Sequence, residues 1–303
     1  GPSSKLVAKA CKKKFDVVDE LDIRKFELHL VNKGSLLHYD GKPVEPYDAI
    51  YVRGSHRYAM LQRNITRLLH EHAYMPIAYK SFALGHNKLL TAMELQRNDV
   101  PIPKTHYAPT RVAAIRILER EVKYPIILKV SEGTQGKGVM VADSFTSAKT
   151  ILDMLDDVKK PFVIQEFVKT KNTSDIRAIV IGDRVVAAYT RTAAKGEIRA
   201  NTHAGGSRKS HKITKEQEKL AVESAKSIGS YICGVDILNS KKPSVIEINL
   251  SPSFTAVKDT CGVDVCKLIA EYLYNKGKQQ PKAEKITSGL SFFKHVFNRG
   301  FEF

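Results

Sequence analysis

The chain has 303 residues, 43% hydrophobic and 27% charged, which is enough apolar content for packed cores in more than one lobe. No apolar run is long enough for a membrane helix, the opening residues lack a secretion pattern, and four cysteines without CxxC spacing argue against a disulfide framework. A net charge of +17 attracts anions, and without Trp or an RNA-binding signature nucleic acid is expected to bind only nonspecifically.

Residues 5–14 read as a basic helix. Residues 15–18, 25–30 and 48–53 read as strands and 56–72 as a helix, which predicts a small α/β lobe over residues 1–80. Asn87 is placed to cap a helix running to Asn98, and Pro101-Ile102-Pro103 ends that unit. Residues 110–122 then predict a helix, 125–130 a strand, 147–157 a helix and 161–168 a strand. That alternation predicts a βαβ-like middle lobe over residues 81–168.

From Asp175 the pattern turns to a hairpin, 176–181 and 184–191, around the turn signal Gly182-Asp183. Residues 214–227 predict a helix, with Leu220, Ala221, Ala225 and Ile228 on its apolar side. A second hairpin, 234–238 with 245–250, and a helix over 263–274 complete a lobe spanning residues 169–276. The tail, 277–303, starts polar and ends with Phe292, Phe293, Val296 and Phe297 on one helical face. It is expected to pack on the chain's own body, with a homo-oligomer contact as the alternative and a lipid surface as the least favoured. Cys11, Cys233, Cys261 and Cys266 are expected to be free thiols in the cytoplasm.

Two segments carry chemistry. The first is a strand with Lys129 near its end, running into Ser131-Glu132-Gly133-Thr134-Gln135-Gly136-Lys137-Gly138. Glycine backbone approaches phosphate closely and points N–H groups at it, and Lys129 adds a positive charge. No GK[ST] opens a following helix and no GxGxxG is present, so neither the P-loop nor the dinucleotide fingerprint applies. An ordinary tight turn is the alternative for the loop alone.

In the second segment Glu247 and Asn249 stand two apart in one strand, so they project to one face, with Asp236 in the strand before. Two carboxylates and an amide oxygen suit a hard divalent cation, Mg2+ or alternatively Mn2+. Such groups on apolar strands are costly without a partner; a solvated sheet face is the alternative. Together the two segments read as a metal–nucleotide site. Residues 162–168 offer apolar walls and backbone groups for a purine base, although a core strand explains them as well. Arg199, Asn201 and His203 share a glycine-bearing loop, in which Arg clamps phosphate and Asn donates to it. His203 reads as structural as readily as catalytic.

In this order along residues 80–275, KVSEGTQGKGV, VIQEFV, SDIRAIV, GEIRANTHAGG, GVDIL and EINLSP resemble the RimK family of ATP-grasp carboxylate–amine ligases. The resemblance implies an ATP-grasp fold of mixed α/β lobes behind a small N-terminal lobe, with ATP held between two lobes. It implies that Lys88, Lys129 and the loop Gly133, Thr134, Gln135 and Gly136 bind the nucleotide, that Gln165, Glu166, Phe167 and Val168 form the adenine hinge, and that Asp175 is a nucleotide-side contact. Arg199 and Asn201 become the catalytic phosphate-side groups, and Asp236, Glu247 and Asn249 the metal ligands. The implied reaction phosphorylates a carboxylate and lets an amine attack the acyl phosphate. Glutamate is the implied amino acid, and the C-terminus of a protein or an acidic peptide the implied acceptor. A small-molecule or amino-group-carrier acceptor is the alternative; a basic RNA- or ribosome-binding protein without turnover is the alternative of another class. Two departures stand out. The chain opens with a polar segment and a helix where the family has an apolar strand, and Thr192-Ala193-Ala194-Lys195 carries less charge than RimK does there.

Overall fold

The structure, a computed structural model, describes residues 1–32, 34–130, 138–156, 162–194 and 205–279. The Phe-rich end of the tail lies outside the described residues. The chain divides into two compact units, Gly1–Tyr79 together with the chain from Cys266 on, and Lys80–Val265.

In the first unit, helix α1 (Pro2–Cys11) precedes three antiparallel strands in sequential order, β1 (Phe26–Val31), β2 (Gly34–Tyr39) and β3 (Lys42–Pro43), and then helix α2 (Ala59–Leu69). Alternation in β1 and β2 turns Phe26 and Leu37 to one side, where they meet Ile65 and Leu69 of α2. Two sequence expectations fail here. Residues 15–18 form no strand: Phe15 packs edge-on against Tyr274, ring centroids 5.3 Å apart, and Val17 is exposed. Of residues 48–53 only Ala49 makes a bridge, to Tyr74, so an apolar run without a full neighbouring strand stays irregular.

The second unit opens with helix α3 (Tyr79–Leu84) and helix α4 (Lys88–Arg97). Asn87 caps α4 as expected, its Oδ1 accepting from the N–H groups of Leu89 and Leu90 at 3.0 and 3.1 Å. Then follow β4 (Thr105–Ala108), α5 (Arg111–Arg120), β5 (Ile126–Val130), β6 (Val139–Ala142), α6 (Phe145–Asp156) and β7 (Phe162–Glu166). Their sheet has the order β4-β7-β5-β6, with every pair antiparallel. The βαβ-like unit expected from strand 125–130, helix 147–157 and strand 161–168 is not formed, because β5 and β7 pair antiparallel. The parallel crossovers are β4-α5-β5 and β6-α6-β7, built on two strands that the sequence reading lacks, and each is split by a strand of the other running the opposite way. Ile126, Leu128, Phe162 and Ile164 face Ala114, Leu118, Ala148 and Leu152 of α5 and α6 in a buried core. Alternation sends Lys129 and Gln165 to the sheet's other face.

The rest of the second unit comprises β8 (Ser174–Ile181), β9 (Arg184–Thr192), β10 (Ser207–Ser210), α7 (Lys215–Ser227), β11 (Ile232–Leu238), β12 (Val245–Asn249) and α8 (Val257–Cys261); α9 (Val265–Gly277) belongs, from Cys266 on, to the first unit. The five strands run antiparallel in the order β10-β9-β8-β11-β12. Gly182 takes φ +64 in the β8–β9 turn, a conformation only glycine adopts cheaply. A capping box between Thr214 and Gln217 starts α7, whose Leu220, Ala221 and Ala225 are buried as it packs across β8, β9, β11 and β12. All four cysteines are free thiols. No described helix is long and apolar enough to cross a membrane.

Candidate active site

Alternation in β8, β11 and β12 sends Ile176, Ala178, Val235, Ile237 and Ile248 to the side covered by α7, where all are buried. It sends Asp175, Arg177, Asp236, Glu247 and Asn249 to the other. Register lines them up: Asp236 has Glu247 across from it on one side and Arg177 on the other, and Arg191 of β9 is across from Asp175. One sheet face thus carries a rank of charges across four strands.

Arg177 donates through Nε and Nη2 to the Asp236 carboxylate, Nη2 to Oδ2 at 2.7 Å. Arg191 Nη2 donates to the same Oδ2 at 2.7 Å, and its Nε and Nη2 donate to Asp175 Oδ1 and Oδ2 at 2.6 and 2.7 Å. Burial raises the cost of charging Asp236, but Arg177 and Arg191 outweigh it and hold the carboxyl below its usual range. For Glu247 the balance reverses: burial, then the charge of Asp236, push it up. Burial pushes Asp175 up to about 6 against the pull of Arg191.

The donor set fits a divalent cation. Two carboxylates and an amide share one face, and the repulsion that raises Glu247 is what an ion between the acids would relieve. A carboxylate has about four lone-pair sites; the arginines use three on Asp236, which leaves one. Asn249 Oδ1 accepts from the Ser251 N–H at 3.0 Å and likewise keeps a lone pair.

Lys129 is half-buried and donates to Gln165 Oε1 at 2.6 Å; Gln165 Nε2 donates to Thr105 Oγ1 at 2.8 Å, and Thr105 Oγ1 donates to the Pro103 carbonyl at 2.7 Å. The lysine sits in a cavity lined by Lys88, Thr91 and Leu95 of α4, Ile102, Val163, Val245 and Ile246, with apolar walls and two ammonium groups. Burial holds Lys129 down to about 8; the charge of Glu247 opposes the shift and that of Lys88 adds to it.

The cavity therefore brings Lys88, Lys129 and Gln165 together, and the sheet face brings Asp175, Asp236, Glu247 and Asn249 together. Glu166 is exposed at the end of β7, its Oε1 accepting from the Lys104 N–H at 3.0 Å, and half-buried Phe167 and Val168 continue the chain beyond it. Gly133, Thr134, Gln135, Gly136, Arg199, Asn201 and His203 lie outside the described residues. Arg177 and Arg191 were not singled out from sequence. The signal for Arg177 was present: it is a charged residue in an apolar strand, two positions from Asp175 and so on its face.

A family model, RimK-like ATP-grasp domain, matches residues 85–273. A probable alpha-L-glutamate ligase of Cellvibrio japonicus (strain Ueda107) is 31% identical over 281 residues, covering 91% of this chain and 92% of that protein. Among solved structures, the ATP-grasp ligase PsnB complexed with a phosphomimetic variant of minimal precursor, Mg and ADP gives a TM-score of 0.71 at 16% identity, covering 91% of this chain and 96% of that one. PsnB complexed with precursor peptide PsnA2 and AMPPNP gives 0.68 at 17% identity, covering 91% and 94%. At such identities the structural likeness speaks for the fold alone.

Proposed function

The chain belongs to the RimK-like ATP-grasp family of ATP-dependent carboxylate–amine ligases, and from that premise we propose that it joins glutamate to the C-terminus of a protein or acidic peptide. In this reading the γ-phosphoryl group of ATP passes to a carboxylate oxygen of the acceptor and ADP leaves. The amino group of glutamate then attacks the acyl carbon, and phosphate and a proton depart as the amide forms. The acyl phosphate is itself the activated species, so no side-chain nucleophile is needed.

Catalysis of this kind rests on charge neutralisation and positioning at the transferring phosphoryl group. Lys129 and Lys88 supply positive charge to the phosphates, and the Gln165–Thr105 chain of hydrogen bonds orients Lys129. Asp236, Glu247 and Asn249 would hold Mg2+, which supplies further neutralisation at the phosphate oxygens. Arg177 and Arg191 hold Asp236 ionised and in place. Arg199 and Asn201 take phosphate-side roles, and Gln165 to Val168 the adenine edge.

The observation that carries the reading is electrostatic. Glu247, a metal-side acid, lies close enough to both Lys129 and Lys88 for their charges to act on one another. That is the juxtaposition a metal–polyphosphate complex needs. A peptide acceptor is supported by PsnB, solved with its precursor peptide, and by the net charge of +17.

The test is ADP release with glutamate in the presence of an acidic peptide, a small-molecule acid or neither. Release only with the acidic peptide, with a peptide mass raised by whole glutamyl units, supports the proposal. Release with the small acid alone moves the assignment to the other acceptor class, and release with neither acceptor nor glutamate dependence overturns it.

A further inference from the structure

The pattern in β1 that turns Phe26 and Leu28 to one face turns Glu27 and His29 to the opposite, outward one. The register sets His38 of β2 directly across from Glu27, on that same outward face. One ligand atom from each of these three side chains lies within 4.8 Å of the other two. Glu27 Oε2 is 3.5 Å from His29 Nε2, and the His29 and His38 rings stand 4.9 Å apart at 57°. Two ligands bonded at about 2.0–2.1 Å to a tetrahedral zinc ion are roughly 3.4 Å from each other, so the Glu27–His29 pair already has ligand spacing. The other Glu27 oxygen, Oε1, accepts from the Gly41 N–H at 3.0 Å, in a turn that Gly41 enters at φ +76. Such an outer hydrogen bond fixes a ligand's orientation, here with Oε2 toward the imidazole.

We infer that Glu27, His29 and His38 form a zinc site on the outward face of the β1–β2 hairpin, with two imidazole nitrogens and one carboxylate oxygen as ligands and a remaining position for water. Imidazole donors select zinc over Mg2+, whereas the all-oxygen set of Asp236, Glu247 and Asn249 selects the hard ion. The two sites lie in different units of the chain and use different chemistry. A metal here bridges neighbouring strands and locks the register of a short, largely exposed hairpin.

The test uses the full chain and Zn2+ alone, titrated against a chromophoric chelator with Mg2+ in excess, and Co2+ as a spectroscopic substitute. One tight equivalent is expected, with a Co2+ visible spectrum of tetrahedral character. His38→Gln, and separately His29→Gln, should each weaken that equivalent by at least on the order of 100-fold, since even outer partners of metal ligands cost 10–100-fold. Both variants should keep the metal-free melting temperature of the parent. Cys261→Ser should bind as the parent does. No zinc uptake by the parent, or full uptake by both histidine variants, overturns the site; loss in Cys261→Ser instead assigns the ion to thiols.

Discussion

Arg177 and Asp236 face each other in register across β8 and β11 and close a two-bond ion pair at 8% and 2% exposure. Charges this buried persist only when paired and hydrogen-bonded. Arg191 completes the arrangement by donating to both Asp236 and Asp175. Asp236 therefore holds the sheet face together in addition to its proposed role at the metal, and a substitution there has two consequences.

Asp236→Ala would strand the buried Arg177 guanidinium and leave Arg191 with Asp175 alone. Breaking a buried pair costs about 3–5 kcal/mol, so the variant should lose stability as well as turnover, and lost turnover alone would not identify a ligand. Glu247→Gln is the cleaner probe. It keeps the volume and removes a charge that burial and Asp236 already disfavour. Its urea midpoint should match or exceed the parent's, while turnover falls by on the order of 100-fold or more, as for loss of one electrostatic contact to the transition state. A Glu247→Gln protein that turns over normally removes Glu247 from the proposed site.

Gly234 lies on the charged face, across from Asn249. A Cβ there would stand 3.0 Å from Arg177 Cδ and 3.2 Å from Pro252 Cβ. An arginine elsewhere would swing aside, but this one is tied by two bonds to Asp236. Gly234→Ala is predicted to cost about 1–3 kcal/mol, the range for overpacking, measurable as a lower urea midpoint with an unchanged slope. If instead the midpoint is unchanged, the Arg177–Asp236 pair tolerates displacement and is not rigid.

Much of this was legible in the sequence where the signals are local. Helices α4 and α7 announce themselves through Asn87, Thr214 and apolar spacing, and the β8–β9 hairpin through Gly182-Asp183. Strands β2, β4 and β6 were missed because four to six residues give little periodicity. Phe15 and Val17 imitated a strand because alternation cannot tell a ladder from an unpaired segment. The Asp236–Glu247 juxtaposition follows from a short hairpin. The Arg177–Asp236 pair depends on β8 meeting β11, a long-range register that only the fold sets.

The net charge of +17 bears on the acceptor. If an acidic peptide is drawn in by this field, kcat/KM for the peptide should fall as NaCl rises from low to physiological strength, where the screening length shrinks to about 8 Å. A neutral acceptor of equal length should show a weaker dependence. Equal salt sensitivity for the two, or none for either, would rule out electrostatic selection of an acidic acceptor.

Lys129 makes nucleotide binding pH-dependent. Burial lowers it to about 8, with Glu247 opposing and Lys88 assisting, against about 10.4 for a lysine in the unfolded chain. Between those values the unfolded chain holds a proton that the folded one has lost, so this lysine makes stability rise with pH across that window; below about 8 the full cost of burying the ammonium is present. Polyphosphate prefers the ammonium, so affinity for ATP should fall by up to about tenfold per pH unit above 8. Near pH 8 binding should also draw in part of a proton. Titration calorimetry in two buffers of different ionisation enthalpy reads that uptake directly. Lys129→Met should abolish the uptake near pH 8 and weaken ATP binding, while remaining folded, because the methylene stem is kept and a costly buried charge is gone. Proton uptake that persists in Lys129→Met would assign the titration to another group and take Lys129 out of contact with the phosphates.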